Sequence, residues 1–172
     1  GIEKNNLLTH LDLSKNRIYD EGIIAIVNGL LKNTKVSIGS LNIGYNSIKA
    51  RGAKSIATLL QKNETLTNLS LAANKLGIKY YERPERKPVS THLKSVPTQM
   101  LPHVYSTEGT MSIISAIKSN NILLKLDLSM NNIDTICGKR IYQNLVEQKC
   151  SNLKFLNLSG NEISHDIVMK FK

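Results

Sequence analysis

The residues of this chain that could carry out acid–base or metal chemistry are few and scattered. The four histidines are His10, His92, His103 and His165, and none of them forms the HExxH motif of a zinc enzyme. The chain also lacks the GxSxG turn of a serine hydrolase and the GxxxxGK[ST] loop that binds phosphates. We therefore expect no catalytic site, no metal and no other cofactor.

The two cysteines are expected to stay reduced. Cys137 and Cys150 stand 13 positions apart in one predicted helical segment. A helical rise of about 1.5 Å per residue separates them by roughly 20 Å, which is too far for a disulfide bond. With no CxxC pair in the chain, this usage predicts a cytoplasmic protein without a zinc site.

Side chains that could bind another protein are concentrated between residues 80 and 108. This segment contains all four prolines of the chain. It is also rich in tyrosine and arginine, which often carry the binding energy of protein interfaces. Its candidate partner-binding residues are Tyr80, Tyr81, Arg83, Arg86 and Tyr105.

A repeated pattern of apolar residues predicts the elements that position these side chains. The spacing LxxLxLxxNxI recurs around Asn16, Asn46, Asn74, Asn131 and Asn161, with isoleucine in place of some leucines and the reverse. The Leu-x-Leu core predicts a short strand whose alternate side chains point inward. The asparagine lies where the chain turns out of the strand, so its amide can bond backbone groups that the turn leaves unpaired. Stacked units predict a parallel sheet with an asparagine ladder.

A helix is predicted after each turn. Apolar residues recur there at every fourth position, the spacing of one helix face. These sets begin at Gly22, Gly52, Gly109 and Cys137. A small residue at the helix start allows close packing on the neighbouring helix, and Cys137 is expected to replace glycine in that role. The alternative is a reactive thiol, which would need a nearby cation such as Lys139 to lower its pKa.

The chain resembles the ribonuclease-inhibitor class of leucine-rich-repeat proteins. Most neighbouring ladder asparagines, such as Asn16 and Asn46, are separated by about 30 residues, which leaves room for a full helix in each unit. The resemblance implies an α/β fold, a horseshoe-shaped solenoid with parallel β-strands on the concave face and α-helices on the convex face. It covers residues 1–172 as a single domain. Because the chain opens and closes part-way through a repeat, we expect a fragment of a longer array.

One interval breaks the period. Asn74 and Asn131 stand almost twice as far apart as the other neighbouring ladder asparagines, and the next helix starts correspondingly late, at Gly109. Residues 80–108 are therefore either an inserted loop or a degenerate repeat, because the excess is also about the length of one repeat. Proline removes a strand donor and breaks a helix, so we favour the inserted loop.

The residues that alternate with the strand leucines are expected to face a protein partner. They are mostly small and polar, which is also typical of a solvated sheet face without a ligand. Tyr45, Met130 and Phe155 are the bulky members that could anchor a partner. The candidate residues of this face are His10, Asp12, Asn42, Tyr45, Asn68, Lys125, Asp127, Met130, Phe155 and Asn157.

The net charge of +10 raises the question of nucleic-acid binding. Most lysines and arginines, including Lys49 and Lys118, are expected in the helical halves, outside the concave face. The abundance of Lys, Asn and Ile is typical of an AT-rich coding genome and would suit a secreted effector that acts in a host cytosol. No apolar run reaches the roughly 18 residues of a membrane span.

We therefore predict a protein-interaction scaffold with no membrane segment, in which rim lysines steer an acidic partner. Two alternatives remain open. One is a GTPase-activating protein, because Ran GTPase activators resemble this repeat type. The other is nucleic-acid binding through the basic convex face.

Overall fold

The chain is described by a computed structural model that covers residues 2–35, 37–77, 106–147 and 152–171. Within these ranges, short strands alternate with helices. The strands are β1 (His10–Asp12), β2 (Ser40–Asn42), β3 (Asn68–Ser70), β4 (Lys125–Asp127) and β5 (Phe155–Asn157). The helices are α1 (Tyr19–Lys32), α2 (Ala50–Lys62), α3 (Glu108–Ser119), α4 (Thr135–Tyr142) and α5 (His165–Val168). Each strand and the helix after it form one repeat, numbered 1 to 5. A π-helical turn, Gln143–Glu147, extends α4, and 3-10 turns at Ile2–Lys4 and Met169–Phe171 flank the array.

The strands form one parallel sheet in chain order, β1-β2-β3-β4-β5. The middle residue of every strand is a leucine, and the five leucines pair with one another in register. Leu41, Leu69 and Leu126 are at most 2% exposed, whereas both flanking residues in each strand are more exposed. The leucines therefore point toward the helices, and the core lies between sheet and helices. The predicted repeat architecture is confirmed.

Ladder asparagines join successive repeats. The Asn74 side chain accepts hydrogen bonds from the backbone N–H groups of Asn46 (3.1 Å) and Ile48 (2.9 Å). Its amide group donates to the carbonyls of Ile43 (3.0 Å) and Leu71 (2.9 Å). One buried side chain thus satisfies four backbone groups that no strand or helix pairs. Amide bonds to the preceding repeat are also made by Asn46, Asn131 and Asn161.

The small residue at each helix start has the predicted packing role. A Cβ atom on Gly52 would lie 2.6 Å from Ile48 Cγ2 and 2.7 Å from Ile23 Cγ2, closer than carbon atoms can approach. The Asp20 carboxylate at the start of α1 accepts hydrogen bonds here from the N–H groups of Lys49 (2.7 Å) and Gly52 (3.0 Å). The start of α2 is thereby fixed to the preceding repeat.

Cys137 occupies the glycine position in repeat 4. Its side chain is 2% exposed. Burial raises the pKa of the thiol to about 12, and the nearby Asp134 carboxylate adds to this increase. At neutral pH the thiol is therefore protonated, and the alternative of a reactive thiolate is wrong for this residue. Cys150 lies outside the described residues.

Repeat 3 contains the interruption of the period. Its helix α3 begins at Glu108, one residue before the predicted Gly109. Its strand β3 pairs directly with β4, with Leu69 opposite Leu126. Residues 78–105 lie outside the described ranges, and with them the predicted site residues Tyr80, Tyr81, Arg83, Arg86 and Tyr105.

Candidate protein-binding surface

The sheet face directed away from the helices, called the open face below, carries two rows of side chains. The register of the paired strands aligns these side chains in the rows that were predicted from the repeat spacing. The first row is His10, Ser40, Asn68, Lys125 and Phe155. The second row is Asp12, Asn42, Ser70, Asp127 and Asn157. The role of these residues in binding stays a prediction.

The first row contains the most exposed aromatic residue of this face. Phe155 is 53% exposed and lies beside Lys125 of the neighbouring strand. A shallow depression of about 190 Å³ runs from Phe155 across the strands to Ser40. The depression is small and open, so it fits the side chains of a protein surface better than an enclosed small ligand.

The second row has a structural role that the sequence did not reveal. In four of the five strands its side chain accepts a hydrogen bond from the backbone N–H two residues later, at 2.8 to 3.1 Å; these acceptors are Asp12, Asn42, Asp127 and Asn157. This geometry shapes the turn that ends each strand. Hydrogen bonds from Ser14 lower the pKa of the Asp12 carboxyl. Asp12 is therefore ionised at neutral pH.

A third row lies where the chain turns out of the strands. This turn row consists of Lys15, Tyr45, Ala73, Met130 and Gly160 and is linked by backbone hydrogen bonds of 2.8 to 2.9 Å between adjacent repeats. All five residues have a positive φ between 52° and 67°. Tyr45 is 50% exposed and Met130 53% exposed. Their predicted exposure is confirmed, and both side chains are held in a left-handed backbone conformation that favours glycine.

The base of the interrupted segment lies at the same edge. The Ser106 N–H donates to the Gly77 carbonyl (2.8 Å), and the Gly77 N–H donates to the Asn131 carbonyl (3.0 Å). A Cβ atom on Gly77 would lie 1.9 Å from the carbonyl oxygen of Asn132, so only glycine fits. The chain therefore leaves and rejoins repeat 3 at one point. At this junction the buried Asn131 Oδ1 has no hydrogen-bond partner among the described residues.

A group of cations at this edge was not predicted from the sequence. Lys15 and Arg17 flank the ladder residue Asn16, Lys75 follows Asn74, and all three cations are exposed. Lys49, expected in a helical half, instead precedes α2 as its N-cap residue. The cluster could have been predicted from the positions of these cations next to the ladder asparagines, because all such positions lie on one edge of the stacked repeats.

In the described part of the chain, no group of three or more His, Cys, Asp or Glu side chains is arranged to hold a metal ion. None of the described helices is both long enough and apolar enough to cross a membrane.

A protein-family model described as Leucine Rich repeat matches residues 4–27, 37–57 and 149–172. NACHT, LRR and PYD domains-containing protein 4E of Mus musculus is 26% identical over 166 residues, covering 95% of this chain and 16% of that protein. Ribonuclease inhibitor of Sus scrofa is 40% identical over 70 residues, covering 41% of this chain and 15% of the inhibitor. The chain thus contains leucine-rich repeats and is similar to ribonuclease-inhibitor-type proteins. It spans about a sixth or less of the length of the mouse relatives that it matches over most of its own length.

Solved structures agree with the leucine-rich-repeat fold. Leiomodin-1 Actin-Binding Site 2 superposes with a TM-score of 0.69 and 17% identity, over 99% of this chain and 80% of that chain. The tropomodulin C-terminal domain of Caenorhabditis elegans gives a TM-score of 0.64 and 10% identity, over 98% of this chain and 82% of that chain. At these identities the likeness shows the fold alone.

Proposed function

We propose that this leucine-rich-repeat protein is an interaction scaffold. Its partner-binding surface consists of the open face, the turn row and the adjoining segment 80–108. The observation that carries the proposal is the exposure of three large side chains among residues that are mostly small or polar. Phe155, Met130 and Tyr45 are each at least half exposed.

These side chains supply the binding energy in this proposal. Burial of apolar area contributes about 25 cal/mol per Å², so covering the exposed half of each side chain contributes on the order of 1 kcal/mol. The polar rows around them contribute fit and hydrogen bonding, as at the rim of many protein interfaces.

The segment 80–108 belongs to the proposed surface because of its base. The hydrogen bond between Ser106 and Gly77 fixes both ends at the turn edge, beside Asn131 and the neighbouring Met130. The direct pairing of β3 with β4 supports an inserted loop, since a further repeat would be expected to place a strand between them.

Actin is one partner to test directly. The leiomodin-1 structure with the same fold is described as an actin-binding site, and co-sedimentation with filamentous actin provides the test.

The buried Cys137, which forms no disulfide bond, supports a cytoplasmic location. A role as a secreted effector has support only from the composition of the chain.

Affinity capture with the 172-residue chain tests the scaffold proposal. The test variants are Phe155→Ala and a form in which a short glycine–serine linker replaces residues 78–105. The matched control is Ile136→Ala, which removes an exposed apolar side chain at the start of α4, away from the open face.

We expect the wild type and Ile136→Ala to recover the same proteins, and the two test variants to lose them. Thermal unfolding of each variant separates lost binding from lost folding. If folded Phe155→Ala and the linker form recover the same proteins as the wild type, the proposed surface is wrong.

A further inference from the structure

The turn edge of repeats 1 to 3 carries a group of positively charged side chains. We call it the basic edge, and it consists of Lys15, Arg17, Tyr19, Tyr45, Lys49 and Lys75. These positions contain four cations, two half-exposed tyrosines and no carboxylate. The matching turns of repeats 4 and 5 instead contain Asp134 and Glu162, so charge is segregated along the edge.

Repeat stacking brings these residues together. Arg17 and Lys75 each follow a ladder asparagine directly and are separated by the single repeat that contains Ser47. Adjacent strands lie about 4.8 Å apart, so the backbones of Arg17 and Lys75 are roughly 10 Å apart. Tyr45 lies between them, because its repeat stacks between theirs. Beside it lies a cleft of about 280 Å³, lined by Tyr19, Ser47 and Lys49 together with Asp20, Glu21 and Arg51.

The acidic groups near the basic edge are already engaged. Asp20 accepts hydrogen bonds from two backbone N–H groups at the start of α2. Glu21 forms an ion pair with Arg51 (3.0 Å), and Asp12 accepts from Ser14 and Asn42. Within the described ranges, no ion pair includes Lys15, Arg17 or Lys75. The charges of Arg17 and Lys75 therefore remain available to an external anion, whereas that of Lys15 also acts on the Asp12 carboxylate.

We infer that the basic edge binds an acidic peptide segment of a partner protein. A peptide in the polyproline II conformation advances about 3.1 Å per residue with three residues per turn, so carboxylates three residues apart point the same way and match the roughly 10 Å spacing of Arg17 and Lys75. The faces of Tyr19 and Tyr45 would contact apolar atoms between these carboxylates. This inference rests on the proposed scaffold function and adds the chemistry of the partner.

A peptide fits this edge better than a nucleic acid does. The cations extend over only about 10 Å, which is too short to follow a phosphate backbone for several nucleotides. Asp12, ionised at neutral pH, lies next to Lys15 on the open face and would repel phosphates that continue along the first repeat. A peptide carries carboxylates only at some positions, so an uncharged residue can lie beside Asp12.

Fluorescence anisotropy with labelled peptides tests the inference on the intact chain. The probe is a short peptide with glutamate at every third position and a central phenylalanine. Its control replaces each glutamate with glutamine. A short single-stranded oligonucleotide with the same number of charges is measured in parallel.

The test variant combines Arg17→Glu with Lys75→Glu. The matched control combines Lys35→Glu with Lys154→Glu, two exposed lysines in the loops that precede strands, at the opposite edge of the sheet. Both variants change the net charge equally. We expect the test variant to bind the acidic peptide about tenfold more weakly or worse, because attraction becomes repulsion at two sites. The control variant should stay within about twofold of the wild type.

Three outcomes would overturn the inference. They are equal binding of the glutamate and glutamine peptides, equal losses in both variants, and tighter binding of the oligonucleotide than of the peptide, which would assign the edge to nucleic acids. Failure of the scaffold proposal can be distinguished from failure of this inference, because the affinity capture with Phe155→Ala tests the scaffold separately. Suppose that Phe155→Ala abolishes capture of the partner but the Arg17→Glu and Lys75→Glu double variant does not. The scaffold proposal would then stand, and only the proposed role of the basic edge would be rejected.

Discussion

The backbone N–H of Gly52 donates a hydrogen bond of 3.0 Å to the carboxylate of Asp20, and a Cβ atom on Gly52 would lie 2.7 Å from that same carboxylate oxygen. Repeats 1 and 2 approach each other here so closely that any side chain at position 52 would collide with Asp20. The contact combines a helix cap with helix packing, because Asp20 belongs to α1 and Gly52 to α2. Similar inter-repeat capping recurs at the far end of the chain, where the Ser164 N–H donates to the Thr135 hydroxyl (2.9 Å).

Gly52→Ala is expected to lower the free energy of unfolding by about 1 to 3 kcal/mol, because the added methyl group overpacks the contact with α1. The matched control is Gly29→Ala in α1, where the new Cβ would lie at an ordinary contact distance of 3.7 Å from Glu3 Cγ. There, alanine should stabilise the helix by about 0.5 to 1 kcal/mol. Urea unfolding measures both values. Equal signs for the two variants would contradict this account.

Asn74→Ala is expected to cost about 2 kcal/mol or more, because the backbone N–H groups of Asn46 and Ile48 lose their acceptor in a buried turn and each such loss costs roughly 1 to 3 kcal/mol. Asn16→Ala is the control, since Asn16 is exposed and its amide bonds only carbonyls of its own repeat. We expect the control to cost less than about 1.5 kcal/mol. Chemical denaturation compares the two, and similar costs would show that the ladder does not join the repeats.

Tyr45→Gly is expected to be more stable than Tyr45→Ala by about 1 kcal/mol, because φ at this position is 58° and only glycine adopts such a value without strain. At Ser115, exposed on α3, the order should reverse, with glycine about 1 kcal/mol less stable than alanine. Thermal melts of the four variants give the comparison. Binding should decrease in both Tyr45 variants, although Tyr45→Gly keeps its stability. The opposite stability order at Tyr45 would argue against a strained turn row.

Cys137 makes stability depend on pH at alkaline values. Its folded pKa of about 12 is raised from the ordinary thiol value of 9.0, so the folded state keeps a proton that the unfolded state loses. The stabilisation is complete below pH 9.0 and decreases as the pH rises toward 12, by about 1.4 kcal/mol per pH unit. The difference in unfolding free energy between wild type and Cys137→Ala should therefore shrink above pH 9.0. A constant difference would show that the thiol ionises readily in the folded state.

The repeat frame could be predicted because its requirements are local. Leu69 and Asn74 occupy positions that every unit must fill in the same way, and their spacing is visible in the sequence. The turn hydrogen bonds of Asp12 and Asn42 were not foreseen, because a polar residue at a strand end can serve either the backbone or a partner. The basic edge was missed for a different reason. Arg17 and Lys75 become neighbours only through the register of three stacked strands.

The unpaired Oδ1 of Asn131 makes the boundary between repeats 3 and 4 the weakest step in the ladder within the described ranges. A buried acceptor without a donor costs about 1 to 3 kcal/mol. In an array whose repeats contact mainly their neighbours, such a cost reduces cooperativity at one boundary. Amide hydrogen exchange is therefore expected to divide the array into two blocks, with repeats 1 to 3 opening independently of repeats 4 and 5. Repeat 3, which contains the long segment, would then also border the site at which the solenoid separates first.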